Sequence, residues 1–167
     1  PRRLPIRLGG PRAGRRTYQV PAARHVDDVA VDTTGRASAV CVRGGLYWLA
    51  HRDGPARALA VTPGVRVREP VMLGDTGRVA YLTDAEGEDA VEIAYLPRAS
   101  GGQDPVRLAA GQLGRVREMA ASPDGTTLAI ASHDGRLLVV RVPLPPPADE
   151  AEDENAATGA ERPRDAD

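Results

Sequence analysis

The run Ser132-His133-Asp134 contains the three residue types of a serine-protease triad. A triad requires side chains that are aimed at one another in space, and the side chains of consecutive residues in a hairpin point in different directions. The pair Asp134-Gly135 is also a strong signal for a two-residue hairpin turn. We therefore interpret this run as a turn, and we assign no catalytic residue in the chain.

Histidine and acidic side chains elsewhere in the chain could in principle bind a metal ion. The candidates are two histidines and three aspartates: His25, His51, Asp27, Asp28 and Asp53. Their spacing matches no zinc signature. The acidic run Asp84 to Asp89 lacks the terminal bidentate glutamate of a calcium-binding loop, and we interpret it as a hairpin loop. No glycine-rich run matches a phosphate-binding loop, so we expect no metal ion and no cofactor.

The strands that must position these side chains come from a repeated unit. Its clearest copy runs from Gly114 to Val142, with turns at Ser122-Pro123-Asp124-Gly125 and at His133-Asp134-Gly135. The apolar runs between the turns are too short, and too interrupted by glycine, to form helices. Each unit therefore predicts three short strands, and one further strand precedes it.

Three copies of the unit predict three blades of a β-propeller. A blade has four strands and a period of roughly 40 to 50 residues, and the copies occupy about residues 25–62, 64–109 and 114–142. We predict an all-β fold, a partial β-propeller of about three four-stranded antiparallel blades within residues 17–142. The earliest strand is expected at residues 17–20, and the last blade should lack its fourth strand, which leaves an unpaired edge.

The tripeptide Val-Arg-Glu occurs in two of the units, at residues 67–69 and 116–118. This position is the start of the first strand of a blade, which faces the central channel of a propeller. An arginine there could bind a peptide carboxylate through paired hydrogen bonds. The alternative is an Arg–Glu pair that closes contacts between neighbouring blades. The candidate residues that line a peptide channel are Arg68, Glu69, Arg117 and Glu118.

The two ends of the chain differ sharply in charge. Residues 1–24 carry seven arginines and no acid, whereas residues 143–167 carry eight acids and two arginines. Residues 1–16 predict a basic linker or arm, and the Pro-rich, acidic segment 143–167 predicts disorder because it has few large apolar side chains to bury. The region between these ends is near neutral, and no aromatic residue separates the arginines of the arm, so we expect no nucleic-acid partner.

Single residues of two types bear on the compartment and the core. The single cysteine, Cys41, excludes an intramolecular disulfide, and its apolar surroundings predict a buried thiol in a reducing cytoplasm. The single tryptophan, Trp48, is expected to pack between blades.

No run approaches the roughly 18 apolar residues of a membrane span, so no membrane partner is expected. Because the chain begins with Pro1, we interpret it as part of a longer polypeptide that supplies the missing blades.

Five runs carry a family resemblance that extends over about residues 4–142. They are Asp32 to Val40, His51 to Leu59, Thr83 to Ala90, Ala121 to Gly125 and Ser132 to Gly135. On these runs the chain resembles the N-terminal β-propeller region of the tricorn peptidase family, in particular its actinobacterial members. The Ser-Pro-Asp-Gly turn is shared with WD-repeat and TolB-like propellers, whereas the run from His51 to Leu59 is more specific.

The resemblance implies a large cytosolic serine peptidase that assembles as a homohexamer and trims peptides released by the proteasome. In that family, two propellers precede a catalytic region with a PDZ-like domain, and the propellers act as gated channels. None of the catalytic motif is matched, so no catalytic residue is carried over. We therefore expect a non-catalytic scaffold that gates peptide access or exit, with the rest of the polypeptide, peptides and further subunits as partners. The alternative is a WD-repeat or TolB-like interaction scaffold unconnected with proteolysis.

Overall fold

The structure is a computed structural model that describes residues 18–74, 77–96 and 104–144. In these residues, eleven β-strands form three antiparallel sheets. The first sheet consists of β1 (Val26–Val31), β2 (Ala37–Val42), β3 (Gly45–Ala50) and β4 (Arg57–Ala60). The second sheet consists of β5 (Val67–Met72), β6 (Arg78–Thr83), β7 (Ala90–Tyr95) and β8 (Val106–Leu108). The third sheet consists of β9 (Val116–Ala121), β10 (Thr127–Ser132) and β11 (Leu137–Arg141).

Every sheet is a meander, because its strands are neighbours in the order in which they occur in the chain. This confirms the predicted all-β architecture, in which the third sheet lacks a fourth strand among the described residues. The prediction of an early strand at residues 17–20 is wrong, because residues 18–20 belong to no strand. Among the described residues before β1, the structure has only a 3-10 turn (Ala22–Arg24). The predicted arm, residues 1–16, lies outside the described residues, as does the predicted acidic segment 143–167 apart from residues 143 and 144.

An aspartate holds the turn between β9 and β10. The side chain of Asp124 accepts hydrogen bonds from the Ser122 hydroxyl (2.5 Å) and from the backbone N–H of Thr126 (3.1 Å). These bonds favour the charged carboxylate and hold the pKa of Asp124 below its ordinary value. Asp32 caps the turn after β1 in a similar way, by accepting the backbone N–H of Arg36 at 2.8 Å. Both turns match the turn signals of the repeated unit.

The same turn brings Gly125 against the backbone of the second sheet. Gly125 has φ of +66°, and a Cβ atom placed on it would lie 2.7 Å from the carbonyl carbon of Leu73 and 2.8 Å from the carbonyl oxygen. Both the left-handed conformation and the lack of space require glycine here.

The second sheet lies between the other two, and alternate residues of β6 serve two cores. Val79 and Tyr81 belong to the cluster shared with the first sheet, whereas Ala80 and Leu82 belong to the cluster shared with the third sheet. Every residue of β6 is therefore buried. Burying one large apolar side chain contributes about 1.5–3 kcal/mol, so these two cores are the main attraction between the sheets.

The first and third sheets each bury one face and leave the other open. Val29 and Val31 of β1 are 57% and 55% exposed, and Leu137 and Val139 of β11 are both 68% exposed. An apolar groove of about 680 Å³ crosses the open face of the first sheet, with Val40, among others, in its wall. Open apolar faces therefore lie at both ends of the three-sheet array.

Candidate functional site

The first strands of the three sheets lie side by side, with β5 in contact with both β1 and β9. The third residue of each strand is an acid: Asp28 in β1, Glu69 in β5 and Glu118 in β9. We call these three residues the inner-strand carboxylates. The sequence pattern identified Glu69 and Glu118 but missed Asp28. The available signal was a valine two residues before each acid, which all three strands share.

Glu69 occupies the middle of this group. Its backbone N–H donates to Oδ2 of Asp28 at 3.2 Å. Burial raises the pKa of Glu69 first, the carboxylates of Asp28 and Glu118 raise it further, and the Arg68 guanidinium lowers it. The carboxyl groups of Asp28 and Glu118 are therefore close enough to Glu69 to interact with it electrostatically.

Arg68 joins the second sheet to the third. Its Nη2 donates to Oδ2 of Asp89 at 2.6 Å and to the carbonyl oxygen of Val116 at 3.1 Å. The backbone N–H of Val116 donates to the same Asp89 oxygen at 2.7 Å. The side chains of Arg68 and Asp89 are only 21% and 13% exposed. Arg68 thus contacts the third sheet through the Val116 carbonyl oxygen, while its ion-pair partner, Asp89, lies in the β6–β7 loop of its own sheet.

Arg117 and Glu118 have a different environment from Arg68. Both are exposed on β9, while the flanking Val116 and Met119 are buried in the core. Within the described ranges, Arg117 forms no ion pair. Their side chains are therefore free to meet a ligand along the inner strands, and the channel-lining role of the four predicted residues stays a prediction.

Three carboxylates of the acidic run 84–89 bind other groups of the same protein. Asp84 accepts the backbone N–H of Arg66 at 2.6 Å, Glu86 forms an ion pair with Arg107, and Asp89 takes part in the contact between sheets. In the part of the chain that the structure describes, no group of three or more His, Cys, Asp or Glu side chains could hold a metal ion. The geometry is that of a hairpin loop.

The Ser132 hydroxyl donates to the carbonyl oxygen of Leu113 at 2.5 Å, and the Asp134 carboxylate accepts from Nε of Arg136 at 2.5 Å. The backbone N–H of Gly135 closes the turn on the Ser132 carbonyl at 3.1 Å. The Ser132 hydroxyl and the Asp134 carboxylate therefore each have a partner outside the run, and the run forms a turn, as predicted.

A contact between Ser38 and His51 was not expected from the sequence. Nδ1 of His51 lies 2.7 Å from the carbonyl oxygen of Gly35, and Nε2 lies 2.6 Å from the Ser38 hydroxyl oxygen. Because a carbonyl oxygen only accepts, a neutral His51 carries its proton on Nδ1 and accepts the Ser38 hydroxyl at Nε2. Ser38 is only 6% exposed, so this hydroxyl is closed to a substrate and the contact ties β2 to the end of β3.

Cys41 is fully buried, as predicted, in the core between the first two sheets. Burial, followed by the nearby carboxylates of Asp28, Asp27 and Glu69, raises the pKa of its thiol to about 12. A thiol of this kind is inert at neutral pH.

Trp48 is half-buried at the junction of the first two sheets, but it belongs to neither core cluster and lines a cleft instead. Along the described ranges of the chain, no helix has the length and apolar character needed to cross a membrane.

Two curated proteins of Streptomyces coelicolor are similar to most of this chain. Tricorn protease homolog 2 is 70% identical over 145 residues, which cover 87% of this chain. Tricorn protease homolog 1 is 54% identical over 142 residues, which cover 84% of this chain. The chain spans only 12% and 13% of the lengths of these two relatives.

A solved structure supports the fold. The crystal structure of the tricorn protease superposes with a TM-score of 0.59 at 19% sequence identity, covering 75% of this chain and 12% of that one. At this level of identity the likeness shows the fold alone, and it confirms that the three sheets are a part of a β-propeller. No family model matches the sequence.

Proposed function

Because the chain belongs to the tricorn protease family over the segment that it shares with these relatives, we propose that it is a non-catalytic propeller segment of a serine peptidase. In this proposal its inner strands line a channel that gates the access or exit of peptides during proteolysis. The segment contributes a wall and a charge pattern, and the bond-breaking residues belong to another part of the polypeptide.

The observation that carries the proposal is the position of the inner-strand carboxylates. Three adjacent strands place an acid at the same position, and the pKa of the central one, Glu69, responds to both of the others. A row of like charges along a passage raises the local concentration of ligands of opposite charge. The passage would therefore favour peptides with lysine, arginine or a free amino terminus.

The proposed partners of the open faces are further blades of a longer polypeptide. Three blades do not close a ring, since propellers have roughly four to eight. The exposed valines of β1 and the exposed apolar residues of β11 offer one apolar face at each end of the array. The small share of the relatives' length that this chain covers leaves ample sequence for such blades.

Assembly and location form the remaining part of the proposal. We place the complete protein in the cytoplasm as a homohexamer, as the family resemblance implies. The single, buried thiol of Cys41 is compatible with a reducing compartment.

Site-specific cross-linking tests the channel. An Arg117→Cys variant places a reactive thiol on exposed β9, and Arg141→Cys places one on exposed β11, away from the inner strands. Since Cys41 is buried, a benzophenone maleimide should label only the introduced cysteine. After irradiation with a lysine-containing or a glutamate-containing decapeptide, mass spectrometry measures the cross-linked fraction.

We expect a several-fold higher yield at position 117 than at position 141, and a higher yield with the lysine peptide than with the glutamate peptide. Equal yields at the two positions with either peptide would remove the support for a channel. The interaction scaffold unconnected with proteolysis would then be the better function.

Glu69 should lower the stability of the folded protein at neutral pH. In the folded protein the pKa of Glu69 is raised above its ordinary value of 4.5, so folding favours the protonated carboxyl group. The free energy of unfolding is therefore highest below pH 4.5, and it falls as the pH rises through the pKa of the folded state. We expect Glu69→Gln to raise the thermal midpoint at pH 7 and to leave it unchanged at pH 4. Thermal unfolding followed by circular dichroism measures both values.

The control for this prediction is Glu88→Gln, which removes a charge from an exposed loop position. It should leave the midpoint unchanged at both pH values. A gain at pH 7 that persists undiminished at pH 4 would show that ionisation of Glu69 is not its cause.

A further inference from the structure

The sequence contains three Asp-Gly pairs, Asp53-Gly54, Asp124-Gly125 and Asp134-Gly135. In such a pair the backbone nitrogen of the glycine can attack the side-chain carboxyl carbon of the aspartate, because glycine has no Cβ to obstruct the approach. A C–N bond closes a five-membered succinimide ring, while the hydroxyl of the protonated carboxyl group and the amide hydrogen leave as water. Water then opens the ring at either carbonyl, which restores aspartate or produces isoaspartate.

The pair Asp124-Gly125 is held at both reacting groups. The Asp124 carboxylate accepts the Ser122 hydroxyl at 2.5 Å and the backbone N–H of Thr126 at 3.1 Å. The backbone N–H of Gly125 donates to the Ser122 carbonyl oxygen at 2.9 Å. Because the hydrogen bonds to the carboxylate lower the pKa of Asp124, little of the reactive, protonated form exists at neutral pH.

The pair Asp134-Gly135 is exposed, but it is held in the same way. The Asp134 carboxylate accepts the backbone N–H of Arg136 at 3.2 Å and Nε of the same residue at 2.5 Å. The backbone N–H of Gly135 donates to the Ser132 carbonyl oxygen at 3.1 Å. The bonds from Arg136, first of all the one from its backbone, lower the pKa of Asp134.

The pair Asp53-Gly54 has neither constraint. It lies in the exposed loop between β3 and β4, where no turn hydrogen bond forms. Within the described ranges, the Asp53 carboxylate forms no ion pair or hydrogen bond, and the N–H of Gly54 donates to no acceptor. No atom beyond the chain neighbours lies within 4 Å of the position that a Cβ of Gly54 would take, so the loop has room to close the ring.

We propose that Asp53 is a site of spontaneous isomerisation to isoaspartate, from which the fold protects Asp124 and Asp134. In the product, the chain continues through the side-chain carboxyl group of residue 53, which adds one carbon atom to the backbone of the loop and leaves the negative charge on the α-carboxylate. That α-carboxylate is the group that protein isoaspartyl methyltransferases methylate. The altered loop is part of the wall of the cleft that Trp48 lines.

Peptide mass spectrometry after incubation in heavy-oxygen water tests the proposal. The folded chain is kept warm at neutral pH for several weeks, and each opening of a succinimide ring adds one heavy oxygen atom. Electron-transfer fragmentation then distinguishes labelled isoaspartate from aspartate at each pair. We expect at least about tenfold more labelled isoaspartate at position 53 than at position 124 or 134, because several hydrogen bonds must break before the other two rings can close.

Unfolding the same chain in concentrated urea provides an internal control. The three pairs then share one dipeptide sequence and have lost the hydrogen bonds of the folded state, so they should acquire the label at similar rates. Equal labelling of the three positions in the folded chain would overturn the proposal. So would a preference for position 53 that persists undiminished in urea, because the cause would then be local sequence and not the fold.

Two variants separate the reacting groups from the protecting ones. Asp53→Glu should abolish labelling at position 53 and leave positions 124 and 134 unchanged, because glutamate would have to close a larger, six-membered ring. Arg136→Met removes the side-chain partner of Asp134 and should raise labelling at position 134 without a change at position 53. Circular dichroism measures whether each variant is folded. A folded Arg136→Met variant with unchanged labelling at position 134 would overturn protection by these hydrogen bonds.

Discussion

Gly125→Ala is expected to destabilise the protein much more strongly than Gly135→Ala. Both glycines lie in hairpin turns of the third sheet and both have positive φ, +66° and +83°. An alanine in this conformation costs roughly 1–2 kcal/mol at either position. At position 135 no other atom lies within 4 Å of the added Cβ, whereas at position 125 the Cβ would collide with the Leu73 carbonyl group.

The collision at position 125 involves backbone atoms of another sheet, which cannot move aside as a side chain could. Overpacking of this kind costs typically about 1–3 kcal/mol beyond the conformational term. Urea unfolding of the two variants and of the unchanged protein measures the difference in the free energy of unfolding. Equal losses for the two variants would show that the turn of residue 125 does not press on the second sheet.

Removal of Arg68 is the second change with a large expected effect. Arg68→Met leaves the largely buried Asp89 carboxylate with one remaining hydrogen bond, from the Val116 backbone N–H. Breaking a buried ion pair costs about 3–5 kcal/mol, and because this pair retains some exposure, we expect a loss of about 2–3 kcal/mol. The loss should appear in urea unfolding at neutral pH, where both groups are charged.

A surface pair provides the matched control. Arg136 and Asp134 form an ion pair whose side chains are 55% and 50% exposed. Exposed pairs contribute at most about 1 kcal/mol, so Arg136→Met should have a small effect. If Arg68→Met and Arg136→Met are equally mild, Arg68 does not join the two sheets, and its predicted place in the channel wall becomes the better account of this residue.

The sequence predicted the strands best where turn chemistry and the repeat agreed. Turns with an aspartate and a glycine marked the hairpins of the third sheet, and the repeated Val-Arg-Glu marked the starts of β5 and β9. The strand predicted at residues 17–20 rested only on its place before the first repeated unit, by analogy with the strands that precede the other two units. A strand forms only where a partner accepts its hydrogen bonds, and residues 18–20 have none among the described residues.

Contacts between sheets were beyond the reach of the sequence. The bond from Arg68 to Asp89 spans 21 positions of the chain, and the bond from Arg68 to Val116 spans 48. The bond to Val116 depends on how two sheets are packed, and the bond to Asp89 joins β5 to the β6–β7 loop of the same sheet. A local pattern encodes neither. The pairing of Ser38 with His51 lies within the first sheet, but it joins residues 13 positions apart, which a local pattern does not encode either. Asp28 was within reach, because it shares its place in the strand with Glu69 and Glu118.

The burial of the second sheet on both faces has a consequence for how the protein folds. Each sheet is a meander of sequence neighbours, so it closes only short loops as it forms. Each sheet then acts as one folding module that is stabilised by packing against its neighbouring sheets, as in repeat proteins. Loss of the first or the third module removes one coupling, whereas loss of the second removes both. Among the contacts between the described sheets, the second sheet therefore has two couplings to break before it opens, whereas each of its neighbours has one.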